Sequence, residues 1–165
     1  MEEVLEQLAA VAQSWEAVFK GYHSPSSCYL FEVEPEKCAG LLEQLFRDKN
    51  FWCDHLHSVT GEHMPVDTPM IRIHYHLSSI TRGFSVQVST QKMLTTPEEI
   101  PSFDSVCHIW KSANWHERET AELLGVYFNN HPDLRHLLLP SNWEGFPLRK
   151  DYVPQELYHG VKVKF

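Results

Sequence analysis

Close cysteine pairs are missing from this sequence. Its four cysteines, Cys28, Cys38, Cys53 and Cys107, form no C-x-x-C, the spacing that iron–sulfur and zinc-ribbon sites usually show. They read as reduced thiols serving as small core residues. Basic charge is scarce too: 14 Lys and Arg face 22 Asp and Glu, for a net charge of −8. Nucleic-acid binding needs a basic face, so that class is excluded, and an anionic membrane surface is a poor direct partner. No apolar run approaches the roughly 20 residues that cross a bilayer. The opening "MEEVLEQLAAVAQSWEAVFKGY" is acidic and helically periodic, whereas a signal peptide starts basic, so a cytoplasmic topology is expected. Neither a Gly-rich phosphate loop nor a G-x-S-x-G element occurs.

What is present is enough apolar material for a core: 42% hydrophobic against 22% charged residues over 165 positions, the size of one domain or a domain with a tail. Leu5, Leu8, Ala9, Ala12, Trp15 and Phe19 recur at helical spacing. Gly21 and Pro25 break that run. "CYLFEV" reads as a strand, and Pro35 opens a second helix whose stripe is Cys38, Leu41, Leu42, Leu45 and Phe46. "FWCDHLHSVTG" alternates with Trp52, Asp54, Leu56 and Ser58 on one side. A loop with Pro65 and Pro69 leads to "MIRIHYHLSSI", where Ile71, Ile73, Tyr75 and Leu77 alternate with Arg72, His74 and His76. "GFSVQVST" follows as another strand. From about Ser112 a helix runs to a stop at Gly125. This order predicts an α+β fold, a two-layer sandwich of a small mixed or antiparallel sheet with helices, over residues 1–125.

Residues 126–165 differ in kind. Pro132, Pro140, Pro147 and Pro154 interrupt them, which prevents long helices and central strands. Trp143, Phe146, Leu148 and Tyr152 make the segment too apolar for disorder. An extended, Pro-rich docking tail that lies on a surface, its own or a partner's, is expected.

Several groups invite chemistry. His116-Glu117 begins like the H-E-x-x-H of zinc proteases, but Thr120 stands where the second imidazole is needed. His55/His57 and His74/His76 lie two apart on strands, so each pair shares a sheet face and offers two metal ligands; a metal-dependent hydrolase is the functional reading, a solvated face the plain one. Glu117, Glu119 and Glu122 supply carboxylates without a pocket around them. With Arg118 they form a dense charge cluster, in which Arg118 and Glu122 are i,i+4 partners. The cluster is either a solvated face or a desolvated ion-pair network completed by Arg135 or Arg149 from the tail, which would set how the tail docks. Arg149 and Lys150 beside Asp151, flanked by Phe146 and Tyr152, have the composition of a protein interface.

"WHERETAELLG" followed by "HPDLRHLLLPSNWEGFPLRKDY" resembles the signature region of the C-type subunits of NADH:quinone oxidoreductase. These are the thirty-kilodalton-type subunits of the peripheral arm of respiratory complex I. The matching positions are Trp115, Glu117, Arg118, Glu119, Glu122 and Gly125, then His131, Pro132, Asp133, Leu134 and Arg135, then Trp143 and the run from Gly145 through Leu148, Arg149, Lys150, Asp151 and Tyr152. Close similarity covers residues 103–152. Glu122 replaces a frequent Asp, Ala121 a frequent aromatic residue and Phe146 a frequent His.

The resemblance implies a non-catalytic scaffold and assembly subunit that binds no cofactor or metal itself. NADH, FMN, iron–sulfur clusters and quinone would belong to other subunits of a proton-translocating complex. Its partners would be the D-type quinone-site subunit, with the tail extended over it, and neighbouring iron–sulfur subunits. It would sit peripherally on the cytoplasmic face of the inner (cell) membrane, held there by its partners, as a short version with no quinone-site subunit fused to it. The same scaffold would suit a membrane-bound [NiFe] hydrogenase, a formate hydrogenlyase or a ferredoxin-dependent quinone reductase.

Overall fold

Helix α1 (Glu2–Ser14) stops where the apolar period does not. Glu16 takes a left-handed φ of 56°, and the Ala12 carbonyl accepts from both Trp15 and Ala17, closing the helix. The chain then enters β1 (Val18–His23), so Phe19 is a strand residue and not the last residue of the helical stripe. The computed structural model describes residues 2–23, 28–64 and 69–162, with side chains from residue 6. The expected breaks at Pro25 and Pro65, and the side chain of Leu5, lie outside these.

The next elements follow their sequence signals. Strand β2 (Cys28–Glu32) leads to α2 (Pro35–Arg47), which has Pro at its start and Arg47 in its last turn, where a cation suits the carbonyl end of the helix dipole. Strand β3 (His55–His63) begins three residues after Trp52, whose φ is 41°. Strands β4 (Met70–Ser79) and β5 (Phe84–Met93) form a hairpin with unbroken register from Met70–Met93 to Ser79–Phe84. Then come β6 (Ser102–Asp104), α3 (Ala113–Leu124) and β7 (Tyr127–Asn129). The last elements are two short paired strands, β8 (Leu157–Tyr158) and β9 (Val161–Lys162).

The main sheet has the order β1-β2-β5-β4-β3. Its β2–β5 pair is parallel, and the other three pairs are antiparallel. With helices packed on one side, this is the two-layer α+β sandwich that the sequence predicts. The inward face carries Ile71, Ile73, Tyr75 and Leu77 beside Val86 and Val88, all buried. Against it lie Cys38, Leu41, Leu42 and Leu45 of α2 and Leu124 of α3. The Trp15 indole lies on Gly40 and donates to Gln44 Oε1. Gly61 of β3 lets α3 approach closely, because a Cβ there would collide with Leu124 and Thr120.

Candidate functional site

The histidines of the outward sheet face are held by their neighbours. His74 Nδ1 pairs with Ser89 Oγ at 2.8 Å and its Nε2 lies 3.2 Å from Glu62; His76 contacts Gln87 Oε1 at 2.7 Å and Ser58 Oγ at 3.2 Å. His57 contacts Ser78 Oγ, and the His55 ring packs edge-on against it at 4.5 Å. Cross-strand hydroxyls, an amide and the Glu62 carboxylate thus take up His57, His74 and His76. The four histidines do not converge as a set of metal ligands among the described residues.

Helix α3 is the element around which the signature residues gather. It carries two buried carboxylates on different sides, Glu117 with no exposed surface and Glu122 at 5%. A buried carboxylate is tolerated only when fully hydrogen-bonded or paired. Glu122 meets this condition through main chain. Its Oε2 accepts from Leu137 N at 2.7 Å and Leu139 N at 3.3 Å, and Oε1 accepts from Leu138 N at 2.7 Å. Three successive amides form an anion-binding nest.

One turn earlier, Arg118 donates in the opposite sense. Its Nε binds the Arg135 carbonyl at 2.9 Å and its Nη2 the His136 carbonyl at 3.0 Å. The expected Arg118–Glu122 pair therefore does not form. Both side chains reach past each other to the same loop, one taking its carbonyls and the other its amides. The expected ion-pair network with Arg135 or Arg149 is likewise replaced by charge-to-backbone bonds. Arg135 instead forks onto Asp133 (Nε–Oδ1 2.9 Å, Nη2–Oδ2 2.7 Å), and this arginine holds the Asp133 carboxyl well below the usual carboxylate range.

Arg149 is 7% exposed and donates to four carbonyls: Leu124 (2.8 Å), Pro97 (2.5 Å), Glu99 (2.6 Å) and Gly125 (3.0 Å). Two of these are the last carbonyls of α3, where the helix leaves acceptors unpaired and its dipole favours a cation. A planar guanidinium with five donors suits this place; an ammonium does not. Gly125, at φ 66°, ends the helix as the sequence predicts, and its missing side chain makes room for the Phe146 ring. That ring in turn lies 5.0 Å from the Arg149 guanidinium. Leu148 N donates to Leu123 O, and Lys150 N to His63 Nδ1 at 3.1 Å, with Asp151 3.7 Å from the same ring. The stretch from Phe146 to Tyr152 is thereby fastened to the body at the end of α3.

Glu117 has different partners. Its Oε1 accepts from Val106 N at 2.8 Å, and its Oε2 takes the Cys107 thiol at 3.4 Å. His131 Nε2 lies 3.9 Å from Oε2 and 3.2 Å from the Asn114 carbonyl. Burial pushes the Glu117 carboxyl up from its ordinary value, against hydrogen bonds from Ser105, Val106 and Cys107 and the nearby His131. Burial also drives the Cys107 thiol to about 12. These three residues are the metal-type donor group found among the described residues, with ligand atoms within 4.8 Å. Their hydrogen bonds run against an ion. His131 Nδ1 accepts from Asp133 N at 3.0 Å, so the ring proton sits on Nε2, the nitrogen a metal would need bare. The group is a closed hydrogen-bonded cluster that locks β6, α3 and the 131–133 turn together. Spacing gave no sign of Cys107, His63 or Asn114 as members of these networks, because each meets its partner only in the fold.

The remaining signature residues lie at or near the surface. Trp115 is 61% exposed, with the Arg118 guanidinium 5.7 Å from its ring. Glu119, Arg135, Leu148, Lys150 and Asp151 are exposed; Trp143 and Tyr152 are half-buried. Among the described residues, no helix is long and apolar enough to cross a membrane.

Two solved structures share this fold. One belongs to the membrane-bound sulfane sulfur reductase, an archaeal respiratory membrane complex; it aligns with a TM-score of 0.75 and 21% identity over 92% of this chain and 85% of that one. The other is Nqo5, as its trypsin-resistant fragment, with a TM-score of 0.52 and 24% identity over 81% of this chain and 98% of that one. The chain itself belongs to the respiratory-chain NADH dehydrogenase 30 kDa subunit family, whose model matches residues 31–158. A C-type NADH-quinone oxidoreductase subunit of Rhizobium meliloti is 32% identical over 146 residues, 88% of this chain and 77% of that protein. The C-type subunit of Chlorobium phaeobacteroides is 58% identical over 64 residues, 39% of each chain. The chain thus matches well under half of the Chlorobium relative's length, and 31% of that of the C-type subunit from Chloroherpeton thalassium.

Proposed function

We propose that this chain is a structural and assembly subunit of the peripheral arm of a proton-translocating NADH:quinone oxidoreductase. In this reading it binds no cofactor itself, packs against the quinone-site subunit and neighbouring iron–sulfur subunits, and is held at the cytoplasmic face of the membrane by them. One observation carries the reading: the signature charges are spent on main chain. Arg118, Glu122 and Arg149 together engage nine backbone contacts. Residues used in this way shape a segment. The segment they shape presents Leu138, Leu148, Val153, Leu157 and Val161, each more than half exposed. Apolar side chains displayed on an ordered scaffold suit a protein partner. Affinity purification of the tagged full chain from its native host tests the proposal. Recovery of a large membrane complex with flavin and iron–sulfur absorbance is expected; recovery of the chain alone sinks it.

The fold shared with the sulfane sulfur reductase structure favours a second reading, the equivalent scaffold in a related respiratory membrane complex. The co-purifying subunits separate the two, because dehydrogenase-module flavin and iron–sulfur subunits accompany only the first.

A further inference from the structure

We propose that the basin between α3 and the 135–141 loop is a carboxylate-binding pocket, into which a neighbouring subunit inserts an acidic side chain. The proposal rests on the scaffold reading and names the chemistry of one contact in it. The basin has a volume of about 490 Å³ and is lined by Arg118, Arg135, His136, Leu139 and Ser141. Its lining has two guanidiniums and no carboxylate. Asp133 pairs with Arg135, and the nearby Glu122 carboxylate is taken up by the amides of Leu137, Leu138 and Leu139, so the guanidiniums are the charged groups that the lining itself presents.

The donors are pre-aimed. Arg118 is fixed by the carbonyls of Arg135 and His136, and these neutral acceptors hold it without cancelling its charge. Arg135 is held through Nε and Nη2 by Asp133. Among the described residues, Nη1 of neither arginine donates a hydrogen bond. His136 Nδ1 donates to the Pro140 carbonyl at 3.0 Å, which sets that ring in place beside them. Pre-ordered guanidiniums lose little entropy on meeting a carboxylate, and charge-assisted bonds of this kind are the strong ones. Next to the lining residues stand Trp115, with the Arg118 guanidinium 5.7 Å from its ring, and Leu138, which precedes Leu139; both are over 60% exposed. Arginine beside an exposed tryptophan is the composition of a protein–protein hot spot. The complementary partner is an acidic segment of a protein.

Arg135→Glu in the full chain, expressed in the native host, tests this. Arg135 and its pairing with Asp133 lie at the surface, where an ion pair is worth about 1 kcal/mol or less, so the purified variant should stay folded and melt within about 5 °C of wild type, and its recovery with the complex should fall about tenfold or more. Arg135→Lys should fall less, and the wild-type association should weaken as salt is raised. If wild type brings down the complex and Arg135→Glu does so equally, the pocket assignment is wrong and the scaffold reading stands. If wild type brings down no complex, both fall. Titrating the isolated full chain with a hexaglutamate peptide supplies a direct readout. The Nε–Hε resonances of Arg118 and Arg135 should shift, and the shift should vanish in Arg135→Glu. An equal response to inorganic phosphate at the same concentration would overturn a site made for protein carboxylates.

Discussion

Glu117 and Arg149 are ionisable side chains enclosed by protein, with opposite consequences. Arg149 replaces water with four carbonyls, and its planar fork is the reason one residue can cap α3 and hold the Pro97–Glu99 loop together. Arg149→Lys keeps the charge but leaves some of those carbonyls buried and unpaired, at about 1–3 kcal/mol each. We expect urea denaturation to show a loss of about 3 kcal/mol; a loss under 0.5 would remove Arg149 from this role. Glu117 has no full cation against it, and burial raises its carboxyl above the ordinary 4.5. The folded state thus holds this proton more tightly than the unfolded state. The corresponding stability is complete below about pH 4.5 and is lost as pH rises through the folded value. Relative to Glu117→Gln, wild type should therefore lose stability between pH 4.5 and neutrality. A stability difference that stays flat over this range, measured by urea midpoints, would contradict the raised carboxyl.

At the scale of elements, α3 and the 135–139 loop act as one unit through Arg118 and Glu122. A glutamine at 122 offers one acceptor oxygen to three amides that now share two. In Glu122→Gln, hydrogen exchange at Leu137, Leu138 and Leu139 should speed up at least tenfold, while the amides of β4 and β5 keep their protection. Uniform acceleration over the whole chain would instead mean that the loop is not a separate cooperative unit. Gly61 sets the distance between α3 and β3. Gly61→Ala would push its Cβ into Leu124 and Thr120, and we expect a loss of about 1–3 kcal/mol from overpacking, read from thermal or urea unfolding.

For the molecule as a whole, the buried charges make a prediction about metals. Cys107, Glu117 and His131 satisfy one another and nearby main chain, and on the sheet face His57, His74 and His76 are paired with Ser, Gln and Glu. Metal analysis of the purified full chain should find under a tenth of an equivalent of zinc or copper. One full equivalent, lost in Cys107→Ser, would show that the cluster opens to take an ion.

Strong local patterns were readable directly. Alternation over residues 71–77 placed β4 and its inward face, Pro35 and the Cys38–Leu45 stripe placed α2, and Gly125 marked the end of α3. These follow from chain geometry, since period 2 and period 3.6 decide which side chains share a face. Strand β1 was hidden by two effects. Trp15 and Phe19 continue the helical spacing after the helix has closed, and the register shift between Phe19 and Gly21 brings Phe19 and Tyr22 onto the rings of Phe31 and Tyr29, erasing period 2. The signature also marked Glu117, Arg118, Glu122 and Arg149 as a group that matters.

The partner of each charge was not in the sequence. Local spacing offered Arg118 a carboxylate one turn away, and the folded chain gave it carbonyls 17 and 18 residues on. Sequence alone determined the class of fold and the family, because periodicity and motif order are properties of the chain. Only the tertiary structure decided that these charges grip backbone instead of one another, because the cost of burying an ion depends on every dipole that closes around it.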